Sequence, residues 1–333
     1  MDPNQNLRAI LIAEDTWITA RAINRWCELG HEIAEVWCFS NRASLLRSPH
    51  RPLGLLFPTW DTRRIIKSRG ISVRLFPPLK TWKGSIERAQ KLEANSLLTC
   101  MTHQIIPRTL LEHFGSKALN LHPSILPAYR GVVPRMGMML DGKEQEYGGI
   151  TLHVLTPGID EGPIIGQTQI PLREGDSYFD WDARIAQAGA DLFEKFGIPY
   201  LKGLVNAFEQ DHSIASYRKT YPGEFTFRKT LTYAEAEHLL HTSGRSGSLR
   251  CTIVREDGKE KSYRVVGMQK IGEHPLGKAP DIRFRHIDFD LQDARVRFKR
   301  RQLQDRITTF NVACKAIQMV TSEARKPTDQ KIH

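Results

Sequence analysis

The opening residues constrain the fold most. Leu7–Ala13 is an apolar run of strand length that stops at the acidic turn Glu14–Thr16. Trp17–Leu29 then carries apolar residues at helical spacing (Ile18, Ala22, Ile23, Trp26) and ends at Gly30, the residue type best suited to close a helix. Glu32–Phe39 is a second strand run. A strand, a helix and a strand in this order predict a parallel, doubly wound sheet, in which ligands bind outside the carboxyl ends of the strands.

The same rhythm continues. Residues 40–60 are rich in Arg, Ser and Pro and read as a loop with little regular structure. Helices are expected at Asp61–Ser68, Ser85–Leu92, Arg108–Phe114 and Val132–Leu140, and strands at Ile71–Phe76, Ala94–Met101, Ala118–Leu121, Gly149–Leu155 and Ile164–Leu172. Tyr178–Leu204 carries a long helical pattern with an expected break near Gly197–Pro199. Residues 1–205 thus form an α/β domain with a mostly parallel sheet, and residues 206–225 read as a connector. Residues 226–318 change character, to a smaller β-rich domain. It opens with a helix at Leu231–His241 and a turn at Gly244–Gly247, followed by strands at Arg250–Glu256 and Lys261–Met268 around the hairpin signal Asp257–Gly258. Strands at Ile282–Phe289 and Ala294–Lys299 precede a polar tail, residues 319–333.

Composition excludes several classes. With 40% hydrophobic and 26% charged residues, the 333-residue chain is of the soluble globular kind, and no apolar run reaches the length of a membrane span. Met1–Asn6 has no basic stretch before an apolar core, so no secretory signal is expected, and the reading is cytoplasmic. Cys27, Cys38, Cys100, Cys251 and Cys314 are scattered and odd in number, which argues for reduced thiols and against a disulfide frame or a zinc site. The formal charge of +11 is uneven: residues 206–333 hold 24 Lys and Arg against 16 Asp and Glu. Such an appendage suits an anionic partner, a polyanion such as tRNA or an anionic small substrate, or is a solvated basic surface. Within it, Arg295–Arg301 reads as an edge strand with protective charges or as a nucleic-acid contact.

Two stretches carry the chemistry. Ala118–Gly131 is a short buried strand running into a Pro-rich loop; on a strand, Asn120 and His122 fall on one side. An amide donor beside an imidazole suits a carbonyl whose oxygen turns negative during reaction. Thr156–Pro163 sets Asp160 between a Pro-Gly turn and a Gly-Pro break, an unusual place for a carboxylate that only decorates a surface. Taken singly, each of the three is better explained by strand-end or turn hydrogen bonding. No His-Glu-x-x-His or comparable metal cluster appears.

Asn120, His122, Ser124, Leu126, Pro127 and Gly131, with Asp160 and Gly162 beyond the next strand, resemble the folate-dependent formyltransferase family, whose pattern is Asn-x-His-x-Ser-x-Leu-Pro-x-x-x-Gly followed by an Asp-x-Gly loop. The resemblance covers about residues 6–205 and departs from the family at the first turn, where Ala13–Thr16 replaces a glycine-rich equivalent. It implies a Rossmann-type fold and transfer of a formyl group from N10-formyltetrahydrofolate to a primary amine, with no metal. Asn120 would donate to the formyl oxygen. His122 would assist proton movement, and Asp160 would orient it, raise its pKa and take the amine's proton. The folate would lie between the loops 101–106 and 155–160, both taken as strand carboxyl ends, with Met101, Thr102, His103, Ile105, Leu155 and Ile159 as candidate cofactor residues. Ser124 would shape the loop or touch substrate, and Arg130 would bind a substrate anion or form a surface salt bridge. The implied acceptor is an amino sugar, nucleotide-linked, or a similar small amine. Methionyl-tRNA formyltransferase, formyltetrahydrofolate deformylase and a non-catalytic binding module are the alternatives, and a homodimer is compatible with each.

Overall fold

The computed structural model describes residues 6–39, 51–243, 249–254 and 258–324. The chain opens as expected with β1 (Arg8–Ala13), α1 (Trp17–Glu28) and β2 (Glu32–Phe39). The Thr16 hydroxyl caps α1 by accepting the Thr19 N–H at 3.1 Å, and Gly30 closes it with φ +83°. Of the stretch expected as an irregular loop, residues 40–50 lie outside the described residues. The rest is more regular than its composition suggested: α2 (Arg51–Leu56) is followed by a 3₁₀ turn at Pro58–Trp60. That turn buries Trp60 edge-on against Trp17, with ring centroids 5.8 Å apart, and burying a ring of this size organises the backbone around it.

Next come α3 (Thr62–Ser68), β3 (Val73–Phe76), α4 (Ser85–Lys91), β4 (Ser96–Cys100), α5 (Arg108–Phe114) and β5 (Ala118–His122). Helix α6 (Pro134–Asp141) starts two residues later than expected, at a proline whose ring suits a first helical turn. The chain continues with α7 (Glu144–Tyr147), β6 (Gly149–Val154), β7 (Ile164–Gln169) and α8 (Tyr178–Leu192). Near Gly197 the helix widens into a π turn, Phe193–Gly197, instead of breaking, and resumes as α9 (Ile198–Leu201). Pro199 falls in the first turn of α9, where its missing N–H leaves no bond unmade. The remaining elements are β8 (Thr226–Phe227), α10 (Tyr233–Ser243), β9 (Arg250–Val254), β10 (Glu260–Gly272), β11 (Asp281–Ile282), β12 (His286–Asp290), β13 (Arg295–Arg300) and α11 (Leu303–Glu323).

Two compact units share these elements. The first takes the chain to Pro134, Gln145–Arg218 and the chain from Ala313 on; the second takes Arg135–Glu144 and Lys219–Val312. The stretch read as a connector is therefore divided at Arg218. The polar tail begins inside α11, which buries Ala313, Ala316, Ile317 and Val320 at helical spacing; residues beyond Ala324 lie outside the described residues.

The first unit is built on a seven-stranded sheet of order β3-β2-β1-β4-β5-β6-β7. The strands from β3 to β5 are parallel, whereas β6 and β7 run antiparallel to their neighbours. On one face Ile10, Ile12, Leu97 and Ala118 pack with Trp37, Phe76 and the α5 residues Leu110, Leu111 and Phe114. Each large side chain so buried contributes roughly 1.5–3 kcal/mol. Asn120 and His122 continue the Ala118 side of β5, so the polar site grows directly out of this core.

The second unit has a six-stranded sheet of order β11-β12-β13-β10-β9-β8. Asp257 and the expected Gly244–Gly247 turn lie outside the described residues, yet β9 and β10 pair antiparallel from Val254 and Glu260 onward. The single strand expected at Ile282–Phe289 is a hairpin, with Ile282 opposite Ile287 and the Arg283 N–H bonded to the His286 carbonyl at 2.9 Å. The basic run is an interior strand, not an edge: β13 lies between β12 and β10. Across from it, Asp290 and Asp288 engage Arg295 and Arg297 at 2.6 Å and 2.7 Å. Among the described residues no helix is long and apolar enough to cross a membrane.

Candidate active site

Asn120, His122 and Asp160, separated by up to 40 positions, meet in the first unit. The Asn120 Nδ2 donates to Asp160 Oδ1 at 3.2 Å, and His122 Nδ1 lies 3.4 Å from Asp160 Oδ2. Residues 155–163 make this possible in a way the sequence did not suggest. Because β6 is antiparallel to β5, its carboxyl end falls beside the start of β5, where the Leu155 N–H donates to the Ala118 carbonyl at 2.7 Å. Loops 101–106 and 155–160 both follow the carboxyl ends of their strands, as expected, but β4 and β6 run in opposite directions, so those ends lie at opposite ends of the sheet. The chain then returns toward His122, and Asp160 adopts φ +53°. Gly162 allows the return to lie close, since a Cβ there would come within 1.9 Å of the Val154 carbonyl oxygen. Gly131, at φ +96°, donates its N–H to Asp160 Oδ2 at 2.8 Å, which explains why the motif closes on glycine.

Two further residues complete the cluster. Thr99 donates its hydroxyl to Asn120 Oδ1 at 2.6 Å, which fixes the amide's orientation. His153 stands opposite Asn120 in the β5–β6 register. Its Nδ1 lies 2.9 Å from the Val154 carbonyl and must carry the proton there, so Nε2 accepts from Asn120 Nδ2 at 3.0 Å. The same Nε2 is 3.4 Å from Asp160 Oδ1. Both amide hydrogens of Asn120 are thus held by His153 and Asp160. The strand alternation Thr151, His153 could have pointed to this imidazole, but only with the antiparallel register in hand.

The electrostatics differ from expectation at His122. Burial opposes the Asp160 charge, but His122, His153 and the Gly131 N–H outweigh it and hold the carboxyl well below its usual range. Burial likewise lowers the pKa of His122, more than Asp160 and the Tyr129 carbonyl at 2.9 Å raise it. The imidazole was expected to be raised; it is uncharged at neutral pH beside an ionised carboxylate.

The other candidates divide. Ser124 is fully buried and donates to the Ala128 carbonyl at 2.8 Å, which is the loop-shaping role and leaves no exposed atom for substrate. Arg130 is 3% exposed; its guanidinium is engaged by Gln210, Tyr217 and His212 and also pairs with the more exposed Glu161 carboxylate at 3.7 Å. Ile106 belongs to the apolar cluster on this face of the sheet, and Leu155 packs against the same cluster. Their neighbours Ile105 and Ile159 are 75% and 55% exposed. Met101 has φ +55°, and Thr102 accepts the Gln104 N–H at 3.1 Å. Thr102 also lines a shallow cleft with Glu14, Trp37, Phe76 and Gln104, and His103 lies 3.7 Å from Glu14.

Residues 81–195 match the family described as formyl transferase. The methionyl-tRNA formyltransferase of Listeria innocua is 31% identical over 184 residues, 54% of this chain and 58% of that protein, so the chain spans less than two thirds of the relative it matches. Among solved structures, the sugar 3N-formyl transferase WlaRD, in the presence of dTDP and 5-N-formyl-THF, superposes with a TM-score of 0.56 at 16% identity, covering 89% of this chain and 98% of that one. The N-formyltransferase from Helicobacter canadensis, with folinic acid and dTDP-3-aminofucose, gives 0.56 at 17% identity over 88% and 99%. At these identities the two structures share the fold. Asn120, His122, His153 and Asp160 all lie inside the residues that match the formyl transferase family.

Proposed function

We propose that the chain is an N10-formyltetrahydrofolate-dependent formyltransferase acting on the primary amine of an amino sugar, nucleotide-linked or similar. The observation that carries the reading is the cluster of Asn120, His122 and Asp160 within a formyl transferase domain. The folate, when bound between the loops of Ile105 and Ile159, supplies a formyl carbon open to attack. Asn120 stabilises the negative charge that develops on the formyl oxygen, and it turns from Asp160, its longer contact at 3.2 Å, to do so. Removing one donor of this kind raises a barrier by about 3–4 kcal/mol. The proton lost by the amine passes to the His122–Asp160 pair. Asp160 alone is too weak a base, so the proton rests on His122, which starts uncharged and becomes an imidazolium facing a carboxylate. Asp160 therefore orients and stabilises, and His122 is the base and then the acid, returning the proton to the folate nitrogen as its bond to the formyl carbon breaks.

The amino-sugar acceptor is supported by the sugar formyltransferases, whose fold likeness extends over 88–89% of the chain, including most of the second unit. The tRNA reading has one observation in its favour, the methionyl-tRNA formyltransferases among the sequence relatives. Against it, Asp290, Asp288 and Asp305 neutralise Arg295, Arg297 and Lys299 of the basic run. The test is incubation with N10-formyltetrahydrofolate and a panel of amines, following tetrahydrofolate release by absorbance. Release only with a nucleotide-linked amino sugar supports the proposal, and release only with charged tRNA transfers it to the second reading. Release without an amine makes the chain a deformylase, and no release at all refutes the activity.

A further inference from the structure

We propose that residues 208–217 are a strap that fixes Asp160 against His122, and that Gln210 is the positioning residue through which the strap acts. The proposal deepens the formyl-transfer reading and rests on it for its kinetic test. The stretch carries no family motif, and its composition suggested only a connector. In the structure it is bonded along its length. Phe208 and Ile164 exchange backbone hydrogen bonds of 2.8 and 2.9 Å. The Arg130 N–H donates to the Ser216 carbonyl at 2.9 Å, the Ser216 N–H to the Pro127 carbonyl at 3.2 Å, and the Tyr129 N–H to the Ser216 hydroxyl at 2.9 Å. One segment thus holds the loop that supplies the Tyr129 carbonyl to His122 and the Gly131 N–H to Asp160.

Gln210 joins that loop to the Asp160 turn. Its amide is 5% exposed, and each end of it is used. Nε2 donates to the carbonyls of Asp160 and Gly162 at 2.8 and 2.7 Å, while Oε1 accepts Arg130 Nε and Nη2 at 3.2 and 2.7 Å. Arg130 is held further by the Tyr217 hydroxyl at 3.2 Å and His212 Nδ1 at 3.1 Å, and Tyr217 donates to Glu161 at 2.7 Å. The turn needs such support. Asp160 is a non-glycine residue in the left-handed region, which its Cβ disfavours, and its backbone has to be held there for the carboxylate to stay 3.4 Å from His122. Gln210 fits where its relatives do not: a glutamate would face two carbonyl oxygens, and an apolar side chain would leave the buried Arg130 fork without its main acceptor.

Two variants of the full chain test this. Gln210→Met removes donors and acceptor alike; Gln210→Glu keeps an acceptor for Arg130, which neutralises the added charge, and removes only the donors. For both, kcat is expected to fall about tenfold to a hundredfold, the scale of a misplacement near 1 Å, while the dissociation constant for 5-formyltetrahydrofolate stays at the wild-type value. A second readout is independent of activity. The groups facing the His122 imidazole are Asp160, His153 and the Tyr129 carbonyl. Releasing Asp160 in Gln210→Met should move the His122 titration midpoint, followed by NMR, downward. If Gln210→Met does not fold, the split between kcat and folate affinity in Gln210→Glu decides. If the wild type transfers no formyl group, the activity reading fails by itself, and a shift of the His122 midpoint in either variant still decides on the strap. Wild-type kcat together with a wild-type His122 midpoint would overturn the proposal.

Discussion

Asp160 in the first unit and Asp290 in the second are both carboxylates withdrawn from water, with side chains 12% and 6% exposed. Burial opposes the charge on each, yet both carboxyls titrate below their usual range, Asp290 beside Arg295 at 2.6 Å and the N–H groups of Leu276 and Lys278, Asp160 beside His122, His153 and the Gly131 N–H. The difference lies in the partner. A guanidinium never gives up its proton near neutrality, so Asp290–Arg295 can only hold strands β12 and β13 together. An imidazole can take or release one, so Asp160–His122 can move a proton. On the proposed function, a depressed carboxylate pKa marks chemistry in one unit and architecture in the other, and the partner's own titration separates them.

The comparison can be broken from the catalytic side first. Asn120→Ala removes the donor aimed at the developing charge and should lower kcat by about 10²–10³-fold with folate affinity retained, as single-turnover kinetics and equilibrium binding would report. Combined with a substitution at Asp160, it should cost much less than the product of the single effects, since both act on one transition state. From the architectural side, Arg295→Met leaves a buried carboxylate without its cation and should lower stability by about 3 kcal/mol in denaturant unfolding, with kcat retained. If kcat fell instead while stability held, the two sites would have been assigned the wrong way round.

The titration gives a finer test. Neutral His122 is the active form, so kcat/KM should be full above its midpoint and lost as pH falls through it. Burial sets that midpoint below the ordinary 6.5, and a limb above 6.5 would exclude His122 as the base. The smallest effect is expected at Ser124, which is buried and uncharged. Ser124→Ala should cost about 1 kcal/mol of stability through the lost bond to Ala128, with the acceptor KM unchanged.

What the sequence shows and hides follows from which contacts are local. The opening β1-α1-β2 unit was legible because Ile18, Ala22, Ile23 and Trp26 repeat at helical spacing and Gly30 ends the run. Asn120 and His122 were legible because alternation on one short strand places them together. His153 was not, since its role comes from the antiparallel register of β5 and β6, which no window of sequence contains. Gln210 lies 50 residues from Asp160, in a stretch without periodicity, and only the folded chain reveals that its amide bridges two loops. Truncation near Leu204 would remove that bridge. Helix α11 was passed over for the opposite reason: Ala313, Ala316, Ile317 and Val320 carry the helical repeat, but polar neighbours and a charged end gave the segment the look of a tail.

The most direct test of the account is Asp160→Asn, which keeps the shape, removes the charge, and retains one of the two acceptor oxygens that now receive the Gly131 N–H and the Asn120 amide. On a verified amine acceptor, single-turnover formyl transfer should slow by at least about a hundredfold, and the His122 midpoint should fall because the carboxylate that raises it is gone. A near-wild-type rate with an unmoved His122 midpoint would remove Asp160 from the mechanism, and with it the assignment of this cluster as the site of formyl transfer.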